Sequence, residues 1–145
     1  MTFAMTQDEC ESFLAEPHVG VFAVQRETRA PMCVPLWYNY VPGGNVEIWT
    51  GAASAKVKLL HKMGRFSFCV QDETFPCKYV SVEGPVVSIR PIDFERGLVP
   101  LVERYLGRDR AASYLADYGG KDGVRDDVLV SMTPERWFSE DFSTR

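Results

Sequence analysis

Runs of alternating apolar and polar residues dominate this chain, and they predict strands. Val19 to Gln25 reads as a first strand. Pro31 to Tyr40 reads as a second, with Val34, Leu36, Tyr38 and Tyr40 on one face and Cys33, Pro35, Trp37 and Asn39 on the other. Pro35 within it argues for an edge or a bulge. Pro42-Gly43-Gly44-Asn45 is a turn, and Val46 to Thr50 returns as a third strand, which makes a hairpin. Arg65 to Gln71 and Lys78 to Ile89 are further strands, the latter kinked at Gly84-Pro85. Asp127 to Phe138 is the last, with Pro134 marking an interruption or an edge.

Helical spacing replaces alternation in four places. Thr6 and Glu9 form a capping box ahead of a short helix that runs to about Ala15 and stops at Pro17. Ser54 to Met63 places Lys56, Leu59, Leu60 and Met63 on one face and ends at Gly64. Asp93 to about Leu106 and Asp109 to Tyr118 are helices parted by Gly107, and Gly119 to Gly123 is a loop. Few strands are joined by parallel crossovers. The expected fold is therefore mainly β, in the α+β class: a mostly antiparallel sheet or small barrel with peripheral helices.

Composition narrows the function more than the fold. At 145 residues, 46% hydrophobic and 25% charged, the chain fits one domain spanning 1–145 that folds without disulfides or metal. No apolar run reaches membrane-spanning length, and the N-terminus lacks a signal-peptide pattern, so a cytoplasmic location is expected. Cys10, Cys33, Cys69 and Cys77 have no metal-ligand spacing, and His18 and His61 are the only histidines, so no metal site is expected. The net charge of −4 is uneven. Residues 51–90 carry six basic and three acidic side chains, whereas the segments on either side are net acidic. This balance is wrong for nucleic acid and suits one small anion.

Two constellations offer chemistry. In Thr50-Gly51-Ala52-Ala53-Ser54-Ala55-Lys56 a strand ends, a glycine turns the backbone and a helix begins. The first-turn N–H groups lie at the positive end of the helix dipole, and Thr50, Ser54 and Lys56 add two hydroxyls and a cation. Such a cradle takes a phosphate. The plainer alternative is a capped helix with a solvated lysine. The second constellation is aromatic: Trp37, Tyr38, Tyr40, Trp49 and Tyr79 gather on strands around one hairpin. A flat heteroaromatic cofactor fits such a surface, and so does a set of half-buried barrel aromatics.

Taken as a series, Pro35-Leu-Trp-Tyr-Asn-Tyr40, Gly43-Gly-Asn-Val-Glu-Ile-Trp-Thr50, Ser54-Ala-Lys56 and Tyr79-Val-Ser-Val-Glu-Gly84 resemble the pyridoxamine 5′-phosphate oxidase-like superfamily, in its short-chain flavin and deazaflavin branch. Pro134 to Trp137 and Asp141-Phe142 are similar to the tail of such chains. The resemblance implies a six-stranded split β-barrel, a homodimer with cofactor sites at the interface, and FMN or the deazaflavin coenzyme F-420. It implies a phosphate contact at Ser54 and Lys56 with Thr50 at the preceding strand end, further cofactor contacts at Gly51 and Ala55, and a ring-lining strand at Pro35, Leu36 and Trp37. Gln71 falls near the ring edge, and Trp137 near the partner's site. Ala55 stands where the oxidase itself has arginine, and the second strand lacks that enzyme's basic residues. The expected activity is thus hydride transfer to or from a small conjugated or heteroaromatic substrate, not pyridoxamine phosphate oxidation. Tyr38 and Tyr79 are candidate proton donors. The rival readings are a non-catalytic flavin- or haem-binding module and a haem-degrading relative.

Overall fold

The computed structural model describes residues 3–144. Helix α1 (Gln7–Leu14) starts at the expected capping box: Thr6 Oγ1 accepts from the Glu9 N–H, and Glu9 returns the bond to Thr6 N–H. Strands β1 (Gly20–Val24), β2 (Met32–Leu36), β3 (Tyr38–Asn39) and β4 (Val46–Gly51) follow. Next come α2 (Ala55–Met63), β5 (Arg65–Asp72) and the long β6 (Lys78–Pro91). A π-helical turn at Phe94–Leu98 leads into α3 (Val99–Leu106) and then α4 (Arg108–Asp117). The expected loop after it contains a one-turn helix, α5 (Gly120–Gly123), before β7 (Asp127–Met132) and β8 (Arg136–Asp141).

All pairings are antiparallel, in the order β2-β1-β5-β6-β7-β4-β3, with β8 also on β6. The two ends of this path, β2 and β3, are joined by Trp37 alone. A sheet whose first and last strands are covalent neighbours has to curl, so this joint makes a half-barrel out of a sheet. The six expected strands become eight because two are divided. The second changes its sheet partner at Trp37, from β1 to β4. The last is interrupted at Thr133-Pro134-Glu135, where β6 also bends. A Cβ on Gly84 would lie 1.8 Å from the Thr133 carbonyl oxygen, so the two chains meet there at backbone distance. Thr133 N–H donates to Pro85 and Glu135 N–H to Glu83, so these two N–H groups at the second break stay paired.

The alternation sorts the side chains. Phe22, Tyr38, Ile48, Phe68, Val80 and Val130 point inward and are buried. Each such aliphatic or Phe side chain contributes roughly 1.5–3 kcal/mol by leaving water. A second, smaller core forms outside the barrel from Leu98, Leu101, Val102, Ala111 and Leu115, and Trp37 and Trp49 pack against it. The helical hairpin α3–α4 is thereby fixed over the outward-facing side chains next to the Trp37 joint.

Candidate functional site

Between that hairpin and the barrel lies a pocket of about 480 Å³. The extended segment Pro35-Leu36-Trp37 forms one side. Thr50 and Gly51, where β4 ends, and Lys56, in the first turn of α2, form another. Trp49, Tyr114, Tyr118 and Asp127 close it. Seven of the residues singled out in the sequence therefore meet at one place, although the first, Pro35, and the last, Lys56, are 21 positions apart.

Local structure explains the arrangement around Lys56. Ser54 caps α2, accepting from Val57 N–H at 3.3 Å and from the Thr50 hydroxyl at 3.2 Å. The hydroxyls of Thr50 and Ser54 thus hold strand end and helix start together, as the capped-helix alternative has it. Ala55 and Lys56 open the helix, where N–H groups have no preceding carbonyl to serve them. The cap and an anion site are compatible, because the cap occupies Ser54 Oγ and leaves the Lys56 ammonium to the pocket.

The aromatic constellation separates by strand parity. Tyr38 and Tyr40 face the barrel interior and are buried. The Tyr38 hydroxyl donates to the carbonyls of Leu14 (2.6 Å) and Glu16 (2.9 Å), and burial raises its pKa. A phenol so committed is a structural tie and not a proton donor to this pocket. Tyr79 lies on β6 against Phe138, also away from the pocket, and burial followed by Glu140 raises its pKa. Trp37 and Trp49 face outward and do line it. Trp37 stacks on Tyr105 at 4.8 Å with the planes 5° apart. Tyr105 is anchored in turn: it accepts from Tyr38 N–H, and its hydroxyl lies 2.7 Å from the His18 carbonyl. The wall made by Trp37 is therefore held by α3.

Gln71 and Trp137 are not brought to this pocket within one chain. Gln71 pairs with Tyr79 on the outward face of β5. Trp137 lies on the opposite face of β8 from Phe138, sets its ring edge-on to Tyr40 and lines a separate cleft. Val19, Tyr114, Tyr118 and Asp127 line the pocket without having been singled out in the sequence. Tyr114 and Tyr118 are four apart at the end of α4, a helical spacing that also reads as an ordinary amphipathic face. Burial, and then the neighbouring Tyr118 hydroxyl, pushes the Tyr114 phenol up to about 12. Neither His18, which stacks on Phe13, nor His61, on the exposed side of α2, lines the pocket. Among the described residues there is no cluster able to hold a metal ion and no helix long and apolar enough to cross a membrane.

No family model matches the chain, and no curated protein matches its sequence. Solved structures do match. A conserved hypothetical protein from Mycobacterium tuberculosis superposes with a TM-score of 0.76 at 25% identity, covering 96% of this chain and 86% of that one. An F-420 reductase gives 0.70 at 20% identity, covering 88% and 94%. A putative pyridoxamine 5′-phosphate oxidase from Listeria innocua gives 0.63 at 12% identity, covering 92% and 96%. The chain shares the split-barrel fold of these structures. In a split barrel the strand leading into Trp37, the end of β4 and the start of α2 are neighbours by topology. Their meeting in one pocket is therefore a property of the fold, while the chemistry of the pocket belongs to this sequence.

Proposed function

We propose that this split barrel binds a flavin-type cofactor, FMN or coenzyme F-420, and acts as an oxidoreductase on a small conjugated or heteroaromatic compound. The observation that carries this reading is the convergence of Pro35 to Trp37, Thr50-Gly51 and Lys56 on one pocket. The residues fit the group. The volume lies within the range of small-molecule and cofactor sites. Trp37 offers a flat wall, and the first turn of α2 with Lys56 offers donors and positive charge to a phosphate. When bound, such a cofactor supplies the hydride chemistry, and the protein supplies orientation and electrostatics.

Each element then has a task. Lys56 and the α2 N-terminus hold the anionic end. The Pro35 to Trp37 segment, backed by Tyr105, limits the ring to one plane. The α3–α4 hairpin keeps water from one side of the pocket. Gln71 and Trp137 enter this reading only as contacts delivered by a second copy of the chain, since neither lines this pocket within its own chain. Homodimerisation is therefore part of the proposal, as is a cytoplasmic setting, in which the four free cysteines stay reduced. The haem alternatives lack support here, because haem favours an axial histidine and the pocket has none.

The test is titration of the purified protein with FMN and, separately, with F-420, followed by absorbance and fluorescence. Saturable binding of one of them near one equivalent per chain is expected. Failure of both to bind at millimolar concentration overturns the reading.

A further inference from the structure

The pocket holds two opposite charges that do not meet. Lys56 and Asp127 both line it, yet neither forms an ion pair with the other or with any charged side chain among the described residues. An anion site accounts for Lys56 and leaves Asp127 unexplained. The surroundings of Asp127 are specific. Its Oδ2 accepts from Trp49 Nε1 at 2.7 Å, which fixes the carboxylate against the indole edge, while Oδ1 lies on the Gly51 side, 3.7 Å from where a Gly51 Cβ would stand. Trp49 meets Tyr118 edge-on at 6.2 Å, Tyr118 meets Tyr114 at 4.9 Å, and Tyr114 meets Trp37 at 5.5 Å. Four electron-rich rings thus form an unbroken wall that ends at a carboxylate.

Trp and Tyr rings attract a cation placed over their faces, and a carboxylate at the end of the wall adds net charge. Neutral apolar ligands need the rings alone and would desolvate a carboxylate whose one hydrogen-bond donor here is the Trp49 indole, leaving its charge uncompensated, which costs free energy. Anionic ligands would be repelled from this end. We propose that the Asp127 end of the pocket is a subsite for a cationic nitrogen, a substituted ammonium or an N-alkylated heteroaromatic ring, carried by the substrate. This assignment rests on the oxidoreductase reading only in calling the ligand a substrate; the cation site itself stands on the geometry. The substrate's positive group would then sit at Asp127, beside Gly51, with the cofactor's anionic group at Lys56.

Choline and 3,3-dimethylbutan-1-ol have the same shape and differ in charge, so they isolate the cation. Calorimetric titration of the cofactor-free protein with each should show choline binding roughly tenfold or more tightly, because a desolvated cation–π contact and a carboxylate together exceed 1.4 kcal/mol. Asp127→Asn keeps an acceptor for Trp49 and should lower choline affinity about tenfold while leaving the alcohol unchanged. Tyr118→Leu changes a side chain that is 53% exposed and should weaken choline by a few-fold. It serves as the second variant where Asp127→Asn does not fold. The unaltered chain is titrated with FMN and F-420 alongside. Equal binding of choline and the alcohol, no binding of choline, or choline affinity unchanged in a folded variant overturns the cation subsite. Choline bound without either cofactor binding would uphold the subsite and overturn the oxidoreductase reading instead.

Discussion

Lys56 stands where strand end, turn and helix start converge, so cofactor affinity should depend on it more than on any other single charge. A charge-assisted hydrogen bond from its ammonium to a phosphate is worth roughly 1.5–3 kcal/mol. Lys56→Ala should weaken FMN or F-420 binding roughly 10- to 150-fold, read by fluorescence titration. Its Tm should stay within about 2 °C, because alanine is a good helix former and the lysine has no ion-pair partner to lose. Lys121→Ala is the matching control: its exposed pair with Glu95 is remote from the pocket, and affinity should not change. Gly84 tests the fold in the same way. Alanine there would drive its Cβ into the Thr133 carbonyl, and backbone on both sides leaves no flexible neighbour to yield. Gly84→Ala should cost about 3 kcal/mol or more in denaturant unfolding.

At the scale of elements, α1 is tied to the β3–β4 turn through one carboxylate. Glu11 accepts from the Tyr40 hydroxyl at 2.7 Å and from Gly43 N–H at 2.6 Å, and these bonds, the Tyr40 one foremost, hold its pKa below the usual carboxylate range. A lowered folded pKa means stabilisation that is complete above the unfolded value and fades as pH falls through the folded one. The Tm gap between the native chain and Glu11→Ala should therefore be widest at neutral pH and close between about pH 5 and 3. Glu9, bonded to Thr6, and Asp141, bonded to Ser143, are lowered as well, so the acid limb of the whole protein should run in the same direction.

Most of these elements were legible in the sequence because their signals are local. The Thr6 and Glu9 box, the Gly43-Gly44 turn, Pro35 on an edge strand and the break at Pro134 each follow from one residue's backbone chemistry. The partner switch at Trp37 was not, because period-two alternation runs unbroken from Val34 to Tyr40 while the hydrogen-bonding neighbour changes. Tyr114, Tyr118 and Asp127 were missed for a related reason. Helical spacing shows that α4 has a face, but only the docking of α3 and α4 on the barrel shows what that face meets. Parity also decides Gln71 and Trp137. A strand assignment alone does not say which side points into the barrel.

At the scale of the whole molecule the outward face of the sheet is notable. Register aligns Pro35, Val21, Cys69, Ser81 and Phe138 in one lateral row across β2, β1, β5, β6 and β8. Val21 and Phe138 are 41% and 61% exposed there. The row begins beside the pocket at Pro35, so a second chain seated on it would border the site. Sedimentation velocity at micromolar concentration should give a dimer, and Phe138→Glu, which puts a charge in the middle of an apolar contact, should give a monomer with an unchanged circular dichroism spectrum. A monomeric native chain would contradict the dimer while leaving the pocket intact.

The place of β7 in the sheet bears on how the chain is made. It pairs with β4 on one side and β6 on the other, and no other strand bridges those two. During synthesis the sheet β2-β1-β5-β6 and the β3–β4 hairpin therefore emerge with an open edge each, joined along the chain at Trp37 and through α2 but by no strand ladder, until a strand near the C-terminus arrives to bridge them. Open edges of this kind template pairing with other chains. A ribosome stalled, or a message truncated, shortly before Asp127 would release a polypeptide carrying nearly all of the pocket's residues and both unsatisfied edges. Such a fragment should be a substrate for holdase chaperones and proteases, whereas the finished chain is not.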